Sequence, residues 1–217
     1  MHFLAHFHLQ DSASSAALYF GNALPDLLPG FTKIFNKNLR ISSLELNKKE
    51  RDIHHGIFTH FQDDKLFHSN LTFENFCKEL TSILAAKQPD RNALRLSFIA
   101  HLLVEMLFDR WLCETNPTLP DKFYAMLENV CMKDVEQYFM KHKLQDKFNL
   151  VEQKRQRFLT HRFLYELNES EHLAFGVGKI YDQTTGKTIT NSEQFRIIDS
   201  TNEFYAQNRE WKALLIR

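Results

Sequence analysis

The chain has 217 residues, a length that one hydrophobic core can serve, so we expect a single domain over residues 1–217. Twenty Phe, with only six Gly and five Pro, favour packed helices over a loop-rich β-sandwich. Lys and Arg together number 27, as do Asp and Glu, so the chain as a whole carries no field that would hold a nucleic-acid backbone.

The amino-terminal sequence and the cysteines bear on the cellular compartment in which the protein is expected. Residues 1–9 are apolar but interrupted by histidines, and they lack the basic start and the cleavage signature of a secretory signal peptide. Cys77, Cys113 and Cys131 are odd in number and widely spaced, which argues against a disulfide framework and a thiolate zinc site. No apolar stretch reaches about 18 residues, the length of a membrane span. We therefore expect a cytoplasmic protein without membrane attachment.

Apolar periodicity and helix breakers predict the first helices in chain order. Residues 3–28 should form a short helix, a polar break and a second helix that ends near Pro25 and Pro29. Three longer helices are predicted over residues 52–71, 73–86 and 92–113.

The second half of the chain predicts surface helices. Residues 121–169 alternate charged and aromatic side chains, as two or three amphipathic helices do. Turn formers and β-branched residues near 176–190 allow a small hairpin or an ordered loop. The expected fold is an all-α, single-domain helical bundle, with its chemical motifs within 1–115 and amphipathic helices and a C-terminal segment over 116–217.

The predicted helix around residue 105 carries a buried polar row. From residue 98 to 112 the only polar side chains are His101, Glu105, Asp109 and Arg110. The first three follow i, i+4, i+8 spacing and so lie in one row along the helix. A buried carboxylate needs a cation, hydrogen bonds or a metal. The structural alternative is a salt-bridge network with Arg110, or a helix end that reaches solvent at Asp109.

A second predicted helix repeats the pattern. His60 and Asp64 stand inside the apolar stripe that begins at Ile57, where core residues would be expected. An i, i+4 pair of this kind can hold one metal ion, as in H-E-x-x-H zinc sites. His68 lies on the edge of this row and Asp63 lies off it. A hydrogen-bonded core pair is the plainer interpretation of the two residues taken alone.

The amino-terminal segment adds a third set of candidate ligands. His6 is the better candidate, whereas His8 is expected to be a surface or hydrogen-bonded histidine. Asp26 follows in the second predicted helix. Three such clusters inside apolar segments predict one shared metal site. Imidazole and carboxylate ligands suit Mn²⁺, Fe²⁺, Mg²⁺ or Zn²⁺.

Four ordered motifs resemble those of the acyl carrier protein phosphodiesterases. They are MHFLAHFHL at residues 1–9, GNALPD at 21–26, the Gly-Ile-x-x-His-x-x-x-Asp pattern at 56–64, and EMLFD at 105–109. The resemblance covers about residues 1–115. It implies an all-helical relative of the HD-type metal-dependent phosphohydrolases that removes 4′-phosphopantetheine from holo-acyl carrier protein.

The resemblance also implies site residues. The positions that match ligand-type residues of the family are His6, Asp26, His60, Asp64, Glu105 and Asp109. We expect His68 or His101 to act as general acid or base in metal-assisted hydrolysis. Two alternatives stay open: hydrolysis of another phosphoester such as a nucleotide, and a non-catalytic metal-binding helical interaction protein.

The chain departs from the family's pattern at four positions. Phe61 stands where the family usually has Arg, His68 where it has an acid, Glu105 where it has Asp, and Arg110 where it has His. The lost Arg removes a phosphate clamp, which Arg110 is expected to replace in part.

A basic segment separates the Asp26 and His60 motifs. Between residues 33 and 51, six basic side chains face only two acidic ones. The plainer interpretation of this excess is a solvated face, and the alternative is a docking surface for an acidic partner. The resemblance implies that this partner is an acyl carrier protein, which makes the segment the candidate docking surface. The sequence carries no signal for an oligomeric state. The expected substrate-binding residues are Lys33, Lys37, Lys48, Lys49 and Arg110.

Overall fold

The structure of the protein is a computed structural model that describes residues 3–10, 14–28, 46–88 and 94–215. All regular structure within these ranges is helical, which confirms the all-α prediction. The α-helices of these ranges are α1 (Phe3–His8), α2 (Ala16–Leu27), α3 (Lys48–His68), α4 (Leu71–Lys87), α5 (Leu96–Thr115), α6 (Leu119–Asn129), α7 (Met132–Lys141), α8 (Gln145–His161), α9 (Ser170–Thr185) and α10 (Asn191–Gln207). Two 3₁₀ segments span Phe163–Glu166 and Trp211–Leu215.

The chain divides into two compact units, each built from separate stretches of sequence. The first, here called the His60 unit, contains residues 3–10, 14–28, 46–65 and 116–163. The second, here called the Glu105 unit, contains residues 66–88, 94–115 and 164–215. Helix α3 contributes to both, through Lys65 to the first and from Leu66 to the second. The expectation of a single domain stays a prediction.

Aromatic side chains pack the core of the His60 unit. Helices α1 and α2 pack against α6, and α8 packs against α2, α6 and α7. The ring of Phe3 on α1 makes edge contacts with Phe123, Phe158 and Phe163, at centroid distances of 6.0, 4.7 and 6.3 Å. Such contacts add to the burial of apolar area. The short α1 is therefore held by its packing, since six residues are too few for an independent helix.

Helices α2 and α3 cross at two glycines. A Cβ atom on Gly21 would overlap the carbonyl oxygen of Ile53, and one on Gly56 would overlap that of Leu18. The two backbones approach this closely only because neither position carries a side chain. The crossing brings the end of α2 beside the middle of α3.

Helix α3 begins one turn earlier than the sequence predicted. The expected start was Asp52, whereas the helix begins at Lys48. The Asn47 side chain accepts a hydrogen bond from the Glu50 amide, and the Glu50 carboxylate accepts one from the Asn47 amide, at 3.0 and 2.7 Å. This reciprocal pair caps the helix. Lys141 lies 2.6 Å from the same buried Glu50 carboxylate and neutralises it.

Helix α5 is the centre of the Glu105 unit. It packs against α4 and α9, while α10 packs against α4 and α9. Its residues are buried on nearly all sides, as the sequence predicted, including Glu105 and Asp109. The ring of Trp211 closes this core against Phe76 and Phe204, at centroid distances of 4.8 and 6.0 Å.

No hairpin forms near 176–190 within the described residues; the segment is the end of α9 followed by a short loop. Gly186 takes a left-handed conformation with φ of 68° and ends the helix. Thr190 then begins α10 with a capping box that includes Glu193. The helix continues through this segment because Val177 and Tyr181, four residues apart, are both buried. The expectation of a hairpin or loop was therefore wrong for residues 176–185, which are helical, and only the residues between the two helices form a loop.

Within the described residues, no helix combines the length and apolar character that a membrane crossing requires. Of the two or three amphipathic helices predicted over residues 121–169, three are present, as α6, α7 and α8.

Candidate metal centre

Two histidines and an aspartate converge in the His60 unit. The rings of His6 on α1 and His60 on α3 stack with centroids 4.0 Å apart and planes at 28°. His6 Nε2 lies 3.2 Å from Asp64 Oδ1, and His60 Nε2 lies 3.4 Å from Asp64 Oδ2. Both histidines are buried, whereas the Asp64 side chain is 31% exposed. One carboxylate thus faces both imidazoles and marks the side from which solvent reaches the group.

Asp26 completes this cluster from the last turn of α2. One possible ligand atom from each of His6, Asp26 and His60 lies within 4.8 Å of the other two. Asp26 Oδ2 and His60 Nδ1 are buried and have no hydrogen-bond partner among the described residues. Buried polar atoms are nearly always paired. A cation bound between these atoms would supply the missing partner.

The surroundings of His6 favour positive charge. Burial lowers the pKa of His6, but hydrogen bonds with Asp63 and Asp64 and the charge of Asp26 outweigh it and raise this pKa to about 9. Three carboxylates therefore act on one buried position. The same negative field stabilises any cation that binds there.

Asp63 belongs to this cluster although the sequence analysis placed it off the ligand row. It is 5% exposed, accepts a hydrogen bond of 3.1 Å from Gln10 Nε2, and lies 4.0 Å from His6 Nδ1. The signal was present in the spacing, because Asp63 follows His60 by three residues and Asp64 follows it by four. Both separations bring side chains to one side of a helix.

A second group of ligand-type side chains lies in the Glu105 unit. His68 Nε2 and His101 Nε2 lie 2.9 and 3.2 Å from the same oxygen, Glu105 Oε1. The Glu105 side chain is 4% exposed, whereas those of His68 and His101 are 33% and 37% exposed. The two histidines that were expected to act as acid or base therefore contact one buried carboxylate.

Asp109 is buried one turn beyond Glu105 on α5, at 2% exposure. The three-ligand groups found among the described residues contain His6, Asp26 and His60 in one unit, and His68, His101 and Glu105 in the other. The expectation that six residues, Asp109 included, form one shared metal site stays a prediction.

Comparison with known proteins gives no family. No protein family model matches the chain, and no match was found among curated proteins or solved structures. The resemblance to acyl carrier protein phosphodiesterases therefore rests on the four motifs, and it stays a prediction.

The expected substrate lysines fall partly within the structure. Lys48 and Lys49 are exposed in the first turn of α3. Lys33 and Lys37 lie outside the described residues. The adjacent Glu50 faces inward and is paired with Lys141. Its charge therefore does not cancel the two exposed lysines on the surface.

Arg110, the remaining expected substrate residue, is engaged within the Glu105 unit. Its Nε donates a hydrogen bond of 2.9 Å to Glu114 Oε1, and its guanidinium lies 4.2 Å from the centre of the Tyr205 ring. A phosphate that bound Arg110 would have to compete with both contacts.

Proposed function

We propose that this protein is a metal-dependent phosphodiesterase whose divalent ion is bound by His6, Asp26 and His60, with Asp64 orienting the two imidazoles. The proposed reaction is hydrolysis of the phosphodiester bond that joins 4′-phosphopantetheine to holo-acyl carrier protein. The side-chain geometry of the His60 unit supports the ion, and the motif resemblance supports the substrate.

The observation that carries the proposal is the pair of buried atoms Asp26 Oδ2 and His60 Nδ1, which have no hydrogen-bond partner among the described residues. Each such atom costs about 1–3 kcal/mol when it is left unpaired. Asp64 lies beside His60 Nε2 and favours a proton there, which leaves a lone pair on Nδ1. A carboxylate oxygen and an imidazole lone pair are the donors that a divalent metal takes.

The location of Asp26 supports the same conclusion. Asp26 is the penultimate residue of α2, where the helix dipole places partial negative charge. A carboxylate is unfavourable at that end of a helix unless a cation is near. Burial of its Oδ2 atom strengthens the requirement.

Different residues of the site would bind the ion, orient its ligands and exchange a proton with solvent. A bound divalent ion supplies a water of lowered pKa and stabilises negative charge on phosphoryl oxygens. His6, Asp26 and His60 each offer a possible ligand atom within 4.8 Å of the other two, and Asp63 and Asp64 form hydrogen bonds with the His6 ring that orient it. The Asp64 side chain is 31% exposed, so its carboxylate can be reached by substrate and can exchange a proton with solvent.

The charges near the start of α3 support an acidic protein substrate. Lys48 and Lys49 are exposed on the His60 unit, and the neighbouring Glu50 is neutralised by Lys141. An acyl carrier protein is expected to be acidic, so opposite charges would speed its approach and fix its orientation. The ester bond to be cleaved would then be presented to the same unit.

The test is mass spectrometry of holo-acyl carrier protein incubated with the protein and Mn²⁺. We expect loss of the pantetheine arm, no loss after chelation, and no loss with His60→Ala. His55→Ala is the matched control, because His55 is an exposed histidine on the same helix. An intact carrier would contradict the proposed substrate, and turnover of a nucleotide would then favour another phosphoester. Bound metal without any turnover would favour a binding protein.

A further inference from the structure

We infer that His68, His101 and Glu105 form a binding site for a first-row transition metal ion within the Glu105 unit. Its ligands are different residues from the set of His6, Asp26 and His60, and the inference does not rest on the proposed function. The inference follows from the distances between the ligand atoms of the three side chains, from the packing that holds these side chains, and from their exposure to solvent.

The distances are those between neighbouring ligands of one ion. His68 Nε2 and His101 Nε2 lie 2.9 and 3.2 Å from Glu105 Oε1, and one ligand atom from each residue lies within 4.8 Å of the others. Bonds of about 2.0–2.2 Å at angles between square and tetrahedral separate adjacent ligand atoms by roughly 3.0–3.4 Å. The two histidine–glutamate separations therefore match those of adjacent ligands on one ion, and the ligand atoms of the two histidines lie within 4.8 Å of each other.

The three side chains are held by regular structure and packing. His101 and Glu105 are an i, i+4 pair on α5, and His68 is the last residue of α3. The next helix begins at once, because the Asn70 side chain caps it by accepting from the Thr72 amide. The buried Phe73 ring lies 5.1 Å from each histidine ring and limits their rotation. Ligands that are fixed before binding lose little entropy when the ion arrives.

An ordinary ion pair explains the group less well. The centroids of the two histidine rings lie 4.9 Å apart, and both Nε2 atoms lie within 3.2 Å of one oxygen. If both imidazoles were protonated, their positive charges would repel each other at this distance. A metal uses the lone pairs of two neutral imidazoles at once. By contrast, His172 and Glu166 form an ion pair at 3.1 Å with both side chains about half exposed, and they belong to no three-ligand group among the described residues.

The ligand set and its exposure define the class of ion. Two nitrogens and one carboxylate favour Zn²⁺, Fe²⁺ or Co²⁺ over Mg²⁺ and Ca²⁺, which prefer oxygen ligands. Three protein ligands leave at least one coordination position open. Since His68 and His101 are each about one third exposed, that position is accessible to water or to an added anion.

The test is Zn²⁺ titration of chelator-stripped, full-length protein, followed by ¹⁵N NMR of the histidine rings. We expect the His68 and His101 ring nitrogens to shift, while those of His172 do not. Elemental analysis after desalting should find one ion fewer per chain in His101→Ala than in the wild type. His172→Ala should bind as many ions as the wild type, because its single carboxylate partner does not form a three-ligand group.

The wild-type spectrum decides the matter even if a variant folds poorly. Unchanged His68 and His101 signals at saturating Zn²⁺ would overturn the site, whatever happens at His6 and His60. Equal metal content in His101→Ala and the wild type would overturn it as well. Equal shifts with Mg²⁺ would contradict the assigned class of ion. Shifts at His68 and His101 without carrier hydrolysis would support this site while contradicting the proposed function.

Discussion

His6 and His60 stack with ring centroids 4.0 Å apart, although one belongs to the six-residue α1 and the other to the middle of α3. The Asp64 carboxylate lies within 3.4 Å of Nε2 of each histidine and attracts both rings. A helix as short as α1 is not stable by itself. Its position therefore depends on the Phe3 contacts and on this cluster, so metal binding and the order of α1 should be linked.

Removal of metal should destabilise α1 more than the rest of the His60 unit. A ligand at 100 times its dissociation constant stabilises the folded state by about 2.7 kcal/mol. We expect chelation to lower the melting temperature and to speed amide hydrogen exchange in α1. Helix α8 is the internal control, since it contributes no residue to the three-ligand groups. Equal changes in both helices, or none, would contradict the link.

Substitution within the cluster should separate binding from orientation. His60→Ala should lose bound metal and hydrolysis while the chain stays folded, because a ligand atom is removed. Asp64→Asn should bind metal about 10–100-fold more weakly, since it alters only the group that orients the imidazoles. His55→Ala should match the wild type in both respects. Isothermal titration calorimetry and circular dichroism measure these effects. Wild-type metal content in His60→Ala would contradict the metal site and favour the interpretation of the cluster as a hydrogen-bonded core group.

Local periodicity explains which parts of this molecule were predictable. The helices, and the row of His60 and Asp64 on one face of α3, follow from the spacing of apolar residues along one segment. The start of α3 was placed a turn late, because the Asn47 and Glu50 capping pair lies outside the apolar stripe. Helix α9 was missed because turn formers at its end obscured its periodicity.

Contacts between side chains of different helices were less predictable from the sequence. The sequence indicated that Glu105 needs a partner, but the contact with His68 depends on how α3 and α5 meet within the Glu105 unit. Asp63 was not predicted because the ligand row was taken to include residues four apart, such as His60 and Asp64, but not residues three apart. The spacing of residues along one helix determines which side chains share a face. Long-range packing determines which faces of different helices contact each other.

The two glycine-to-alanine changes at Gly56 and Gly178 should act in opposite directions. Gly56→Ala places a methyl group against the α2 backbone, so we expect a loss of about 1–3 kcal/mol in unfolding free energy and weaker metal binding. Gly178→Ala lies within α9 with no atom near the added methyl, so we expect a gain of up to about 1 kcal/mol. Urea unfolding measures both. A neutral Gly56→Ala would contradict the close crossing of α2 and α3.

The three cysteines should differ in their reaction with iodoacetamide. Burial, and then nearby acidic charges, raise the pKa of Cys77 and of Cys113 to about 12. Because only the thiolate reacts, these two thiols should be alkylated slowly at pH 8 and faster as the pH rises. Cys131 is exposed and should react first. Mass spectrometry should find one fast site per native chain, absent in Cys131→Ser. Fast labelling of Cys77 would contradict its burial.

Charge reversal at the start of α3 should affect recognition of the carrier without affecting the metal cluster. The double variant Lys48→Glu with Lys49→Glu should raise KM for holo-acyl carrier protein several-fold at low salt, with a smaller effect at high salt because ions screen the attraction. Hydrolysis of a small phosphodiester should be nearly unchanged, since neither lysine belongs to the ligand cluster.

The matched control for this prediction reverses two exposed lysines elsewhere on the same unit, Lys122 and Lys133. Both double variants change the net charge of the chain equally, so a general effect of charge would raise KM in both. A specific surface raises it only when Lys48 and Lys49 are reversed. Steady-state kinetics with the carrier at two salt concentrations distinguishes the two cases. Equal KM values in the two variants would contradict docking at the start of α3 while leaving the metal cluster unaffected.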